Sequence, residues 1–339
     1  MADNPSPSLE RMQQMILLES IFLPRTRKQR MSLYPGAKSD SLPTGDAFFV
    51  HYTSAEAALK IIRSKRLWMR NTNCMADFRE VQHGVDLLNG FFTTERKERF
   101  CGAVALCAPN AAEEAINLFN NWWNDIRFNT FIASLSEHDS KKEDNCGRLS
   151  MWRGFGVGNV PRVALVLKVP AVSDAPGSLN LAFSPVMYLS QKETENTLLE
   201  VIGNVEKNRD LLRSLDRQLL VRFILHTLVS MAVCMKHQGF QEEREWRVVY
   251  LPELASSPLI QSSVETIGGV PQVVYQLPLD VTVNPVLADI DLPRVLHRLI
   301  IGPSPYPWAM HQAFSRALVD ARVPDAGSRV WTSDIPIRP

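Results

Sequence analysis

Strand-like and helix-like segments follow one another irregularly along this chain of 339 residues, and their order limits the fold more than any single motif. Short runs rich in β-branched and aromatic residues mark strands: AFFVHYT from Ala47, RLWM from Arg66, FIASLS at 131–136, VALVLKV at 163–169 and a piece near PVMYLS at 185–190. Others follow at the strand that carries Glu243 and Glu245 in EEREWRVVY at 242–250, in a hairpin through VPQVVYQL, at RLIIG ending on Gly302 and near RVWTS. Helical spacing occupies 54–66, about 78–92, about 111–127, 191–235 and the segment after Pro307. Helices and strands do not alternate, so a doubly wound parallel sheet is a poor fit and an α+β fold is expected.

Composition narrows the classes that this fold can serve. Hydrophobic residues are 45% and charged residues 22%, with a net charge of +1, so the chain has no overall basic field of the kind a dedicated nucleic-acid binder carries. Five cysteines, at 74, 101, 107, 146 and 234, form no Cys-x-x-Cys pair or Cys/His knuckle, which argues for reduced thiols in a cytosolic setting and against structural zinc. The polar start MADNPSPSLERMQQ is unlike a signal peptide. The longest apolar stretch, LLVRFILHTLVSMAVCM at 219–235, contains Arg222 and His226 and is shorter than a membrane span, so it reads as a buried helix, and no membrane partner is expected.

Residues 1–45 form a helix with Leu9, Met12, Ile16 and Leu17 on one side, followed by a Pro-, Gly- and Ser-rich linker. A single α+β domain is expected over 46–339, with a helical insertion at about 191–235. At its start, Thr53-Ser54-Ala55-Glu56 reads as a capping box in which Thr53 caps the following helix.

Glu243 and Glu245 stand two apart in EEREWRVVY. On a strand both would project from one face, opposite Trp246, Val248 and Tyr250. Ser134 and Ser136 repeat that spacing in FIASLS, and His51 and Tyr52 end the first strand. Trp152 and Arg153, with Gly154, Gly156 and Gly158, offer an aromatic wall beside a pliable loop that lacks the Lys-Ser/Thr of a phosphate-binding loop. Asp77 and Glu80 are explained by the start of a helix, where carboxylates meet free amides. No Gly-x-Ser-x-Gly or His-Glu-x-x-His motif is present.

Read in order, HYTSAEAALKIIRSKRLWM, ADFRE, SLSEHDS with MWRGFG, FQEEREWRVVY, RLIIGPSP and TSDIPIR resemble a bacterial domain of unknown function family, number 2971, over about 47–339. More distantly, His-Tyr-Thr before a helix, a Ser-x-Ser strand and a late Glu-x-Glu resemble the three-part site of ADP-ribosyltransferases. That resemblance implies a split mixed β-sheet with helical insertions. It also implies NAD as substrate, no metal, and transfer of ADP-ribose to a protein or nucleic-acid acceptor by a cytoplasmic toxin, effector or defence component. It assigns Glu245 as the catalytic acid and Glu243 as the group that orients the acceptor. His51, in the NAD-binding run His51-Tyr52-Thr53, is the first element, Ser134 and Ser136 the second, Tyr188 a competing second element, and Tyr52 or Trp152 the ring that stacks on the nicotinamide. A carboxylate on the ribose hydroxyl would stabilise the developing oxocarbenium ion. Two other classes remain open: a non-catalytic interaction or sensing module in which Glu243 and Glu245 form ion pairs, and a nuclease in which Asp77, Glu80 and Glu243 gather a divalent metal.

Overall fold

The computed structural model describes residues 9–34, 43–75, 80–154 and 160–336. Ten strands form one mixed sheet among them. They are β1 (Asp46–Ser54), β2 (Arg66–Asn71), β3 (Phe131–Glu137), β4 (Arg162–Pro170), β5 (Leu181–Pro185), β6 (Glu245–Tyr250), β7 (Gln261–Ile267), β8 (Val270–Pro278), β9 (Leu296–Ile301) and β10 (Val330–Thr332). The α+β expectation therefore holds. All the strand pairs are antiparallel except β9 with β10, and β7 turns into β8 through Gly268 and Gly269, both at positive φ.

The sheet forks at β3. One edge of β3 pairs along its length with β6, from Phe131 with Tyr250 to Ser136 with Glu245. The other edge is shared, because β1 pairs at Phe49–Glu137 and Val50–Ser136 while β2 pairs at Arg70–Ile132 and Asn71–Phe131. One branch continues β1–β4–β9–β10 and the other β2–β8–β7, and residues 133–135 of β3 lie in the opening between them. The two branches are joined by the helix at Ala55–Ser64.

One face of the sheet carries Phe49, Leu135, Trp246, Val248 and Tyr250, packed with the helices Ala55–Ser64 and Pro307–Asp320. On the other face, Ile132 and Val249 meet a helical layer that includes Glu80–Phe91, Thr94–Ala105, Ala111–Asn121, Gln191–Lys207 and Arg217–Val233. Beside it Val50, Tyr52, Ala164, Val166 and Ile300 form a smaller cluster with Met151 and Trp152. The apolar stretch read as a buried helix is that at Arg217–Val233, capped by Asp216, whose side chain accepts from Leu219 N–H. No helix among the described residues is long and apolar enough to cross a membrane. None of the five cysteines is joined in a disulfide.

Three local readings differ from the structure. The cap of the first core helix is Ser54, which accepts from Ala57 N–H at 3.1 Å, while Thr53 stays in β1 opposite Val163. With the cap one residue later, Glu56 no longer occupies the capping-box position; that device is instead built by Ser190 and Glu193. The stretch read from composition as a linker contains a helix at Pro24–Leu33. That helix is polar, but Arg30 donates to Phe183 O on β5 at 2.7 Å and lies over the Trp246 ring, and Gln29 donates to Glu137 at 2.9 Å. Docking supplies the order that a short polar segment lacks by itself.

The helices at Glu80–Phe91 and Arg217–Val233 cross at Gly84, where an added Cβ would lie 2.4 Å from Ala232 O and 2.6 Å from Met231 O. Both neighbours are main chain and cannot swing aside. Gly84→Ala is expected to lose about 1–3 kcal/mol by overpacking. Gly102→Ala, on a helix with nothing near the added methyl, is expected to be neutral or stabilising by about 0.5–1 kcal/mol, both read from urea midpoints.

Candidate functional site

β6 starts at Glu245, and strand alternation puts Glu245 and Arg247 on the face covered by the helical layer. Cross-strand pairing sets Ser134 beside Arg247 and Ser136 beside Glu245 on that same face. Glu245 is 5% exposed and Arg247 1%. Arg247 forks onto the carboxylate, Nε to Oε1 at 2.9 Å and Nη2 to Oε2 at 3.1 Å. Its third nitrogen, Nη1, donates to Val233 O, an end carbonyl of the helix at Arg217–Val233 that lacks an intrahelical partner. Ser134 Oγ donates to Glu245 Oε1 at 2.5 Å and Lys236 Nζ to Oε2 at 3.4 Å. Each carboxylate oxygen thus accepts two donors, which fills its usual capacity.

Burial alone would raise the Glu245 pKa. The Arg247 guanidinium, and then the Lys236 ammonium, reverse that effect and hold it down to about 2. The acid is therefore ionised across the ordinary pH range. Tyr188 accepts from Glu245 N–H at 2.9 Å, and burial, with the carboxylates beside it, pushes its phenol well above the usual tyrosine range. It remains a neutral hydroxyl.

Glu243 is not on the strand. It ends a 3-10 turn at Gln238–Glu243, and Arg244 follows in the left-handed conformation at φ 43°. The two-residue alternation that would align Glu243 with Glu245 is broken there. Both acids nevertheless meet at Lys236, whose Nζ lies 2.7 Å from Glu243 Oε2. Lys236 directly follows the apolar stretch 219–235, and a charge abutting a buried helix was its only signal in the sequence.

His51 reaches the opening in the sheet from the other side. Alternation along β1 places it with Phe49, on the face of Trp246, and its Nδ1 lies 2.9 Å from the main-chain carbonyl of Ser134. A carbonyl only accepts, so Nδ1 carries the hydrogen. Burial lowers the His51 pKa, opposed by that bond, and the ring is held neutral with Nε2 as an acceptor. Thr53 remains in the ladder with β4. Tyr52 and Trp152 are 6% and 5% exposed and pack edge to face at 4.9 Å. Tyr52 Oη accepts from Arg148 N–H, Trp152 Nε1 donates to Cys146 O, and burial raises the Tyr52 pKa to about 12.

Ser136 belongs to a second polar cluster organised by Arg148, a residue that the sequence reading did not single out. Arg148 donates to Ser136 Oγ at 2.7 Å, to the carbonyls of Glu137, Glu242 and Glu243, and to the Glu143 carboxylate at 2.9 Å. Ser136 Oγ in turn donates to Glu243 O. Burial would raise Glu143, but Arg148, Asp139 N–H and Arg244 outweigh it and lower its pKa. Beyond it, His138 Nε2 lies 3.0 Å from Asp144, which also pairs with Arg298 at 3.1 Å. The structure thus brings together Glu245, Glu243, Ser134, Ser136 and Tyr188. It sets His51 across the sheet and leaves Tyr52 and Trp152 in a core.

Asp77, Gly156 and Gly158 lie outside the described residues, and Glu80 begins the helix at Glu80–Phe91. No group of three or more His, Cys, Asp or Glu arranged to hold a metal occurs among the described residues.

Removing either partner of the buried pair leaves the other charge uncompensated. Glu245→Gln or Arg247→Met is expected to cost about 3–5 kcal/mol at neutral pH, and a Glu245→Leu/Arg247→Met double variant to recover most of it. The pH profile is a separate signature. A carboxylate whose folded pKa is depressed stabilises the fold above its unfolded value of about 4.3, and that stability is lost as the pH falls toward the folded value. Wild-type urea midpoints should fall through that acid window, and Glu245→Gln should flatten this part of the profile.

Residues 151–248 match a family model described as Protein of unknown function (DUF2971), a segment that contains Tyr188, Lys236, Glu243, Glu245 and Arg247 but neither His51 nor Ser134. No curated protein and no solved structure matches the chain.

Proposed function

We propose that this protein is a non-catalytic interaction or sensing module, in which the acidic cluster at the mouth of β6 joins the sheet to the helical layer. The observation that carries this reading is the filled coordination of Glu245. A catalytic carboxylate in sugar transfer must have an oxygen open to the ribose hydroxyl, and here Arg247, Lys236 and Ser134 occupy both oxygens in a site that is 5% exposed. The rings proposed to stack on nicotinamide face each other in a core.

A second reading, NAD-dependent ADP-ribosyl transfer to a protein or nucleic acid, is favoured by one feature. β1, β3 and β6 are neighbours and bring His51, Ser134 and Glu245 into a chain of contacts, with Glu245 ionised as the oxocarbenium mechanism requires. For that chemistry Lys236 and one arm of the Arg247 fork would have to release the carboxylate.

NAD consumption by the purified full chain separates the two. With a panel of protein and nucleic-acid acceptors, wild type is expected to leave NAD intact. Turnover by wild type that disappears in Glu245→Gln and falls in Ser134→Ala, a variant that spares the ion pair, would overturn the binding-module reading.

A further inference from the structure

β7 is the last strand of the sheet, and no main-chain group among the described residues pairs with its outer edge. Its inner edge runs in continuous register with β8, from Gln261 with Gln276 to Ile267 with Val270, and carries no bulge. Natural edge strands are blunted by Lys, Pro or a bulge, because an open ladder is a template for another strand. The sequence QSSVETI has none of these and carries one charge, Glu265. That acid is matched within its own chain, by Lys60 at 3.8 Å and by the Ser263 hydroxyl at 3.2 Å.

The turn at Gly268 and Gly269 fixes which main-chain groups point outward. It closes on Ile267 and Val270, and ladder bonds recur at every second pair from there, so Glu265, Ser263 and Gln261 bond to β8. Pro271, which has no N–H, accordingly stands opposite Thr266, at a pair where none is needed. The N–H and C=O groups of Ser262, Val264 and Thr266 are therefore turned away from β8. This set is symmetric about Val264, the middle of the strand, so the edge matches itself under a two-fold axis at that residue. Val264 meets its own copy, and Ser262 meets Thr266 of the second chain. The side chains of all three share one open face, where Val264 is 71% exposed and its cross-strand neighbour Val273 is 46% exposed. Two-fold pairing aligns these four valines across the axis and sets each Glu265 opposite a Ser263, whereas parallel in-register pairing would stack acid on acid. We propose that the outer edge of β7 is a homodimer interface, in which two copies of the chain pair antiparallel about Val264 and join their sheets into one. A second copy is the occupant because the register, polarity and charge of this edge are complementary to themselves. The contact is one strand wide, so the dimer is weak and depends on concentration. It lies apart from the polar cluster at β6 and does not rest on the function read from that cluster.

The test is sedimentation equilibrium of the full chain over a range of concentrations. Wild type should pass from monomer to dimer and no further, since two-fold pairing uses up the edge. Val264→Lys and Val264→Glu should each weaken the dimer by about tenfold or more, because like charges then meet on the axis. An equimolar mixture of the two variants should restore it, which a folding defect in either could not do. Val264→Pro deletes an outward N–H and spares the ladder to β8, so it should weaken the dimer while far-UV circular dichroism stays unchanged. A wild type that stays monomeric at every concentration would overturn the proposal. A dimer that survives all three substitutions, or folded Lys and Glu variants that do not pair when mixed, would overturn it too.

Discussion

A buried guanidinium cannot be left without partners, and the Arg247 side chain, 1% exposed, decides much of what surrounds it. Its fork takes both oxygens of Glu245, and its remaining nitrogen takes the end carbonyl of the longest apolar helix. One side chain therefore ties β6 to the helical layer at a defined height and fixes which residue of the helix end meets the sheet. Lys236 and Ser134 complete the carboxylate's shell, so the pair is fully satisfied rather than merely close. A one-residue slip of β6 against β3 would turn both charges into the Trp246 core.

Arg148 does similar work at the other end of β3. By holding the carbonyls of Glu137, Glu242 and Glu243 it draws the end of β3 and the turn before β6 together, and Ser136 links it to the Glu243 side of the site. The polar row from Arg247 to Arg148 follows the fork of the sheet and lies between two apolar clusters. Where β1 and β2 part, β3 exposes main-chain groups at 133–135, and the His51 ring answers one of them at Ser134 O. This gives His51 a structural use that needs no ligand. The same donors that make the joint firm also occupy the groups that chemistry would need.

Much of the architecture was legible. FIASLS, VALVLKV, RLIIG and the hairpin through VPQVVYQL are strands, and the stretch 219–235 lies largely in a buried helix, because hydrophobic periodicity is local. Opposed faces of β6 were legible too, with Trp246, Val248 and Tyr250 in one core. Less visible were features set by a single residue of phase or by a distant partner. Thr53 and Ser54 are equally good caps in sequence, and the β4 ladder claims the first. Glu243 leaves the strand because Arg244 adopts a left-handed conformation that no residue type demanded. Arg30 and Gln29 sit in a stretch with the composition of a linker, and only Phe183 and Glu137, more than a hundred residues away, order them.

By itself the sequence determined the α+β class and the positions of most strands, since these follow from periodicities of two and 3.6 residues. It also set Arg247 two residues from Glu245, and so on the same face. Only the tertiary structure decided whether that acid would stand open to a substrate or be enclosed by cations. Val233 and Lys236 at the end of the buried helix and Ser134 on β3 come from segments about a hundred residues apart, and their convergence on β6 turned a strand-mouth carboxylate into the centre of a buried ion pair.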